Sequence, residues 1–237
     1  MLLPNDLPEL YRMSLKSSPI YLKPIAIFGA GGLGREVLML LHQINQAVPQ
    51  WQILGFYDDD ANPLPSILNF PYLGNLADLQ KSNQDLAIVI AIANPVIKAQ
   101  IRAKLNFPTI TFPTLIHPTV INEAFQFNTI GEGTIICQGT ILTTNIEIGK
   151  HVLLNLSCTI GHDTVINDFC ALMPQANISG KVVLKQGVYL GANATVLPGI
   201  GIGENSIIGA GAVVTQLIPP KCTAVGVPAR IIKKHAE

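Results

Sequence analysis

Charge is scarce in this 237-residue chain: Asp, Glu, Lys and Arg together make up 13% of it, about half the share of an average soluble domain. Neither sign is in excess. Lys plus Arg is 15 and Asp plus Glu is 15, so a basic nucleic-acid binder and an acidic tail are both excluded. Long apolar runs are missing as well, and none approaches the ~18 residues needed to span a bilayer. Asp6, Glu9, Arg12 and Lys16 break up the first residues, where a signal peptide would need a continuous apolar core. The expectation is a cytoplasmic protein without a membrane span. Cysteine is sparse too. Cys137, Cys158, Cys170 and Cys222 form no CxxC pair and have no His at zinc-finger spacing, so free thiols and no metal site are expected.

What the chain does contain is a repeat. Stepping by six from Ile130 to Val214 meets Ile, Leu or Val at every one of fifteen positions. Chance agreement is on the order of one in two million after allowing for six registers. One residue after the aliphatic, Gly or Asn recurs at Gly131, Gly149, Asn155, Gly161, Asn167, Gly191, Gly203 and Gly209, which predicts positive φ at that corner. Four residues after it the side chain is small or aliphatic and never charged, as at Thr134, Cys158, Cys170, Ala194 and Ala212. That position predicts a tight interior, with Cys158 and Cys170 as fillers. Six residues are too few for a helix and its return but suit one short strand and one corner, each strand pairing with the next layer.

The first half reads differently. Residues 24–28 form a buried strand, followed by Gly29-Ala30-Gly31-Gly32-Leu33-Gly34 and an amphipathic run carrying Val37, Leu40, Leu41 and Ile44. Strand, glycine turn and helix together offer N-terminal amides to a phosphate. A second strand ends in Asp58-Asp59-Asp60, a third covers 87–92, a helix covers about 96–105 and a fourth strand covers 109–111. About four strands suit one mononucleotide half, not the six of a complete dinucleotide fold.

The combination of Gly29-Ala30-Gly31-Gly32, Gly55 to Asp60, Ala91-Ile92-Ala93-Asn94, Ile116-His117-Pro118, the hexads and the tail Gly226-Val227-Pro228-Ala229-Arg230 resembles the sialic acid O-acetyltransferase and nucleotide-amino-sugar N-acetyltransferase family. That resemblance implies an α/β Rossmann-like half-domain followed by a left-handed parallel β-helix with three hexads per coil. Its boundaries would be an N-terminal extension over 1–22, a nucleotide- or sugar-binding domain over 23–112, a linker over 113–129, the β-helix over 130–219 and a tail over 220–237. It further implies an enzyme of cell-surface glycan or glycoconjugate biosynthesis that moves an acetyl group from acetyl-CoA, a co-substrate and not a bound cofactor, to an amino-sugar or nucleotide-sugar. The partners implied are acetyl-CoA, the sugar and two further copies of the chain in a homotrimer.

The family's catalytic motif, a His followed by an acid seven residues after an Asn, falls on Asn155 and His162-Asp163. A proton acceptor suits attack of an amine or hydroxyl on a thioester, and the resemblance makes His162 the general base and Asp163 the group that orients it or raises its basicity. Acceptor positions fall on Gly31, Gly32, Leu33, Asp58, Asp59, Ala93, Asn94 and Asn155. Acetyl-CoA positions fall on Ala171, Ala192 and Ala210. Many relatives carry His where this chain has Leu33. On spacing alone His162 reads first as a solvated corner residue, and Asp163 can be half of an ion pair with Lys181 in the next coil. His117 and His151 read as structural or surface residues. The 18-residue step stacks Thr144, His162 and Gly180, which predicts a gap at Gly180 that admits the thioester or the acceptor. The close alternative is O-acetylation of a sialic (nonulosonic) acid. A non-catalytic trimeric binding protein and a dinucleotide-dependent enzyme are the readings from other classes; the His–Asp pair argues against the first and the missing half-sheet against the second.

Overall fold

The computed structural model describes residues 21–60, 65–82 and 84–235; most of the expected N-terminal extension lies outside them. The first unit is a sheet of β1 (Lys23–Phe28), β2 (Trp51–Tyr57), β3 (Ser66–Ile67), β4 (Phe70–Gly74), β5 (Leu86–Ile90) and β6 (Ile110–Thr111) in the order β3-β4-β2-β1-β5-β6. All neighbours are parallel except the β3–β4 hairpin. Five parallel strands therefore stand where about four were expected. The additional one is the second arm of a hairpin whose first arm has only two residues, too short for a periodic signal. The strand order reverses between β1 and β5, which is where an open α/β sheet splays its loops and binds ligands.

Among the described residues three helices flank the sheet: α1 (Gly32–Ala47), α2 (Leu76–Gln80) and α3 (Pro95–Lys104). Alternation along β1 divides the packing. Ala26 and Phe28 join Leu76, Leu79, Ile101 and Leu105 on one side, as the period of two requires. On the other side Ile25 and Ile27 meet the apolar stripe of α1 (Val37, Leu38, Leu40, Leu41 and Ile44), and this core continues into Leu115, Ile135, Leu153 and Ala171 of the second unit. The two units thus share one core.

The second unit is a three-sided prism of two-residue parallel strands, stacked with an 18-residue step as in Leu142↔Ile160 and Leu154↔Leu172. Face one runs through Thr129–Ile130, Glu147–Ile148 and Val165–Ile166 to Gly201–Ile202. Face two runs through Ile135–Ile136, Leu153–Leu154, Ala171–Leu172 and Tyr189–Leu190 to Ile207–Ile208. Face three runs through Ile141–Leu142 and Thr159–Ile160 to Val213–Val214. Every hexad aliphatic from Ile136 to Val214 is buried and points into the prism. Face two carries the first unit, and is longer than the repeat. Leu115–Ile116, inside the stretch expected as a linker, pairs with Ile135–Ile136, while Cys222–Val225 and the antiparallel Arg230–Lys234 extend its far end.

The corners correct one expectation. Positive φ falls three residues after the aliphatic, at Asn145, His151, Ser157, Asp163 and their equivalents, and not one residue after it. The glycines at the earlier position permit close stacking. A Cβ on Gly161 would lie 2.6 Å from the backbone nitrogen of Gly180, and one on Gly191 would lie 2.5 Å from that of Ala210. At the small-residue position the hydroxyls of Thr134, Thr140 and Thr164 donate to carbonyls of Gly149, Asn155 and Ser179, so these buried polar groups are satisfied. Cys158 and Cys170 fill the same position with no exposure, and burial pushes both thiols up to about 12. They are packing atoms and not nucleophiles.

Candidate active site

The glycine turn occupies the switch point between β1 and β5. Gly29 has φ +112°, and a Cβ there would lie 2.7 Å from the Ala91 carbonyl oxygen; a Cβ on Gly34 would collide with the Gly29 carbonyl. Both glycines serve close packing of strand against helix. Gly31 and Gly32 differ. Gly31 caps α1 without any side-chain hydrogen bond, and a Cβ on it would meet nothing within 4 Å. The first amides of α1 therefore face open space with the helix dipole behind them, a suitable seat for an anion.

The neighbouring acids are partly engaged. Asp58 Oδ2 accepts from the Ala30 amide at 2.6 Å and its Oδ1 from the Asp60 amide at 2.9 Å, so this carboxylate fixes the turn. Asp59 Oδ1 accepts from the Leu76 amide at 2.9 Å, tying it to α2. Asn94 Oδ1 accepts from the Val96 and Ile97 amides at 3.0 and 3.1 Å and is the N-cap of α3, the service Asn performs best at that position. Leu33 and Ala93 are half-buried and pack against the core shared by the two units.

The His–Asp pair lies on the prism. His162 Nδ1 and Asp163 Oδ2 are 2.8 Å apart, with their side chains 56% and 41% exposed. Asp163 adopts φ +59°, which turns its carboxylate back onto the preceding imidazole. A second bond fixes it: Asn145 Nδ2 donates to Asp163 Oδ1 at 2.7 Å. Asn145 chiefly, and then His162, hold this carboxyl below its ordinary range. No Asp163–Lys181 ion pair forms among the described residues. Nor is there a gap at Gly180: a Cβ on it would lie 2.5 Å from His162 Nε2 and 2.6 Å from Cε1, so the imidazole itself fills the room that glycine leaves.

The remaining candidates occupy a different corner. Asn155 is buried, its Oδ1 accepting from the Leu156 amide at 2.7 Å, beside Glu36, Met39 and Gln43 of α1. Ala171 has no exposure and lies in the core beneath the first unit, so its side chain presents no surface to a ligand. Ala192 is half-buried and Ala210 exposed; they stack along the same corner as Leu156.

Taken by corners, the chain divides the candidates into two groups. Asn155, Ala192 and Ala210 lie where face two meets face three, and α1 packs beside them. His162 lies where face three meets face one, the corner opposite face two. The glycine turn and the His–Asp pair of one chain therefore do not converge.

For Asn145 the signal in the sequence is its place one 18-residue coil before Asp163. A clasp between the units has no such spacing to announce it. Lys98 of α3, 1% exposed, donates from Nζ to the His151 carbonyl at 3.3 Å, and Arg102 Nε donates to His151 Nε2 at 3.1 Å. The His151 ring stacks on Phe169 and meets the edge of Phe112. Burial lowers Lys98 to about 8 and His151 to about 4, the latter with help from the two cations. Among the described residues no group of His, Cys, Asp and Glu side chains is arranged to hold a metal ion, and no helix is long and apolar enough to cross a membrane.

A prism of stacked hexads joined to a nucleotide-type sheet, with a His–Asp pair on one corner, defines a hexapeptide-repeat acyltransferase with a left-handed β-helix. Residues 24–105 match the PglD N-terminal domain and residues 181–216 the bacterial transferase hexapeptide repeats. GDP-perosamine N-acetyltransferase of Escherichia coli O157:H7 is 31% identical over 215 residues, covering 88% of this chain and 96% of its own. Among solved structures, WeeI from Acinetobacter baumannii AYE is 31% identical with a TM-score of 0.78, over 89% of this chain and all of its own. PerB from Caulobacter crescentus, solved with CoA and GDP-perosamine, is 25% identical with a TM-score of 0.79, over 91% of this chain and all of its own. The chain belongs to the nucleotide-amino-sugar N-acetyltransferase family of hexapeptide-repeat acyltransferases, enzymes that use acetyl-CoA as co-substrate.

Proposed function

We propose that this enzyme N-acetylates an amino-sugar carried on a nucleoside diphosphate, with His162 as general base, in the assembly of a cell-surface glycan or glycoconjugate. The observation that carries the base is the 2.8 Å bond between His162 Nδ1 and Asp163 Oδ2. With the Nδ1 proton engaged by the carboxylate, the lone pair of a neutral imidazole stands on Nε2. The sugar amine attacks the thioester carbonyl carbon, and Nε2 takes the amine proton as the C–N bond forms. Collapse of the tetrahedral intermediate breaks the C–S bond, and the proton passes from Nε2 to the departing CoA sulfur. No covalent enzyme intermediate is required.

On the acceptor side, the uncapped start of α1 at Gly31 and Gly32 suits the diphosphate, with Asp59 and the end of β5 around Ala93 and Asn94 framing the nucleoside. Relatives known for GDP-perosamine make a guanosine-diphosphate amino-sugar the first acceptor to test. Ala192 and Ala210 leave a corner of small side chains along which a pantetheine arm can lie. Because His162 occupies the corner opposite the face that carries the glycine turn, the reading includes a homotrimer in which each site takes its base from one chain and its acceptor domain from the next.

The test follows CoA thiol release from acetyl-CoA against GDP-, UDP- and CMP-linked sugars and free sialic acid. Amine-dependent release with a nucleotide sugar supports the reading, and release only with sialic acid overturns it. His162→Ala should lower kcat by about 10² to 10⁴; a loss under about threefold removes the base.

A further inference from the structure

The catalytic corner is built from three successive layers. Beneath the lowest, the Gln126 carbonyl accepts from the Asn145 amide at 2.7 Å and from Thr144 Oγ1 at 2.9 Å. Asn145, anchored there at φ +56°, donates from Nδ2 to Asp163 Oδ1 at 2.7 Å in the middle layer. Asp163 holds His162 through its other oxygen. In the top layer the Lys181 amide donates to the His162 carbonyl at 2.8 Å, and the bare Gly180 backbone receives the ring.

We propose that Asn145 is a positioning residue for the reaction, fixing the Asp163 carboxylate plane so that His162 Nε2 stays aimed at the acceptor amine. This rests on His162 being the base. An exposed Asp turns freely about two side-chain torsions, and one bond to an equally exposed imidazole leaves the pair able to swing as a unit. A second bond, from an amide anchored in a different coil, removes that freedom. The donor is also neutral. Of the charged groups facing Asp163 across the corner, His162 lies beside it and Lys181 above, while the layer below contributes only the Thr144 hydroxyl and the Asn145 amide. The second bond that fixes the carboxylate thus comes from a neutral amide, and Lys181 acts on it only through space, forming no ion pair with it among the described residues.

Asn is also a common residue at positive φ for conformational reasons alone. Asn145→Gly separates the two roles, since glycine keeps the left-handed corner and deletes only the amide. The expected result is a fall in kcat on the order of tenfold, with KM for acetyl-CoA and acceptor unchanged and the midpoint of thermal unfolding nearly so. Asn145→Asp sets a second carboxylate against Asp163. The added negative charge stabilises imidazolium, so the acid limb of the kcat/KM profile should move to higher pH. In a His162→Ala background Asn145→Gly should cost nothing further, because the amide acts through the imidazole. Wild-type kcat in Asn145→Gly overturns the proposal, whatever the acid limb does in Asn145→Asp. If His162→Ala alone retains activity, the base assignment fails instead, so the two failures are distinguishable.

Discussion

An imidazole on an exposed corner has no packing to fix it, so its aim depends on what the adjoining layers present. At His162 the layer above presents glycine. The hypothetical Cβ at Gly180, 2.5 Å from Nε2, is closer than a side-chain atom can approach without displacement. Gly180 is not among the positive-φ residues, so alanine suits its backbone, and the three atoms nearest the added Cβ all belong to the His162 ring. Gly180→Ala should therefore swing His162 aside, lowering kcat by about 10 to 10², while the unfolding midpoint stays within a few degrees. A normal kcat in that variant shows that the ring has another productive seat. The stacking of Gly180 beside His162 was legible from the 18-residue step. What the space is for was not, because it depends on the rotamer of a side chain in the neighbouring coil.

At the scale of elements, α3 and the prism corner at His151 are held by groups that burial has made poor bases. His151 is 2% exposed and lowered to about 4, first by burial and then by the nearby Arg102 and Lys98. Its folded value lies below its unfolded one of about 6.5, so between these limits the unfolded chain binds a proton that the folded chain refuses. Stability should then fall as pH drops through that window, by about 3 kcal/mol once complete. Urea denaturation at several pH values should show the slope, and His151→Asn, which tolerates the same φ of +55°, should flatten most of it. The buried His117, also lowered by desolvation, supplies a residual slope. An unchanged slope in His151→Asn shows that other groups carry it. Periodic features such as the fifteen aliphatic positions and the stripe of α1 could be read in advance, since each recurs at the spacing of its element. The contacts of Lys98 and Arg102 with His151 span 53 and 49 residues, and nothing periodic announces them. Asp58 and Asn94 were legible as polar residues at strand ends. Their service to the turn and to α3 emerges only when the backbone amides that bind them are in place.

At the scale of the molecule, the low charge content gains a geometric meaning. Face two is covered by the chain's own first unit, and on face three Ile141 remains 59% exposed beside uncharged Thr159 and Asn177, a surface suited to another copy. In the proposed homotrimer, with the glycine turn on the side of face two and His162 on the opposite corner, a closed ring of three would bring one chain's His162 to its neighbour's turn, and rotational symmetry would repeat the site three times. Complementation tests this. His162→Ala lacks the base. Gly31→Trp fills the mouth of α1, where a side chain meets no neighbour, and should fold normally but exclude the acceptor. Each homotrimer should be inactive. Refolding the two together in equal amounts should restore about a quarter of wild-type activity, because half the sites receive a competent base and half of those an intact turn. A mixture as inactive as its parents, at the mass of a trimer, shows that each site belongs to a single chain. Recovery near a quarter requires that every turnover draws on two.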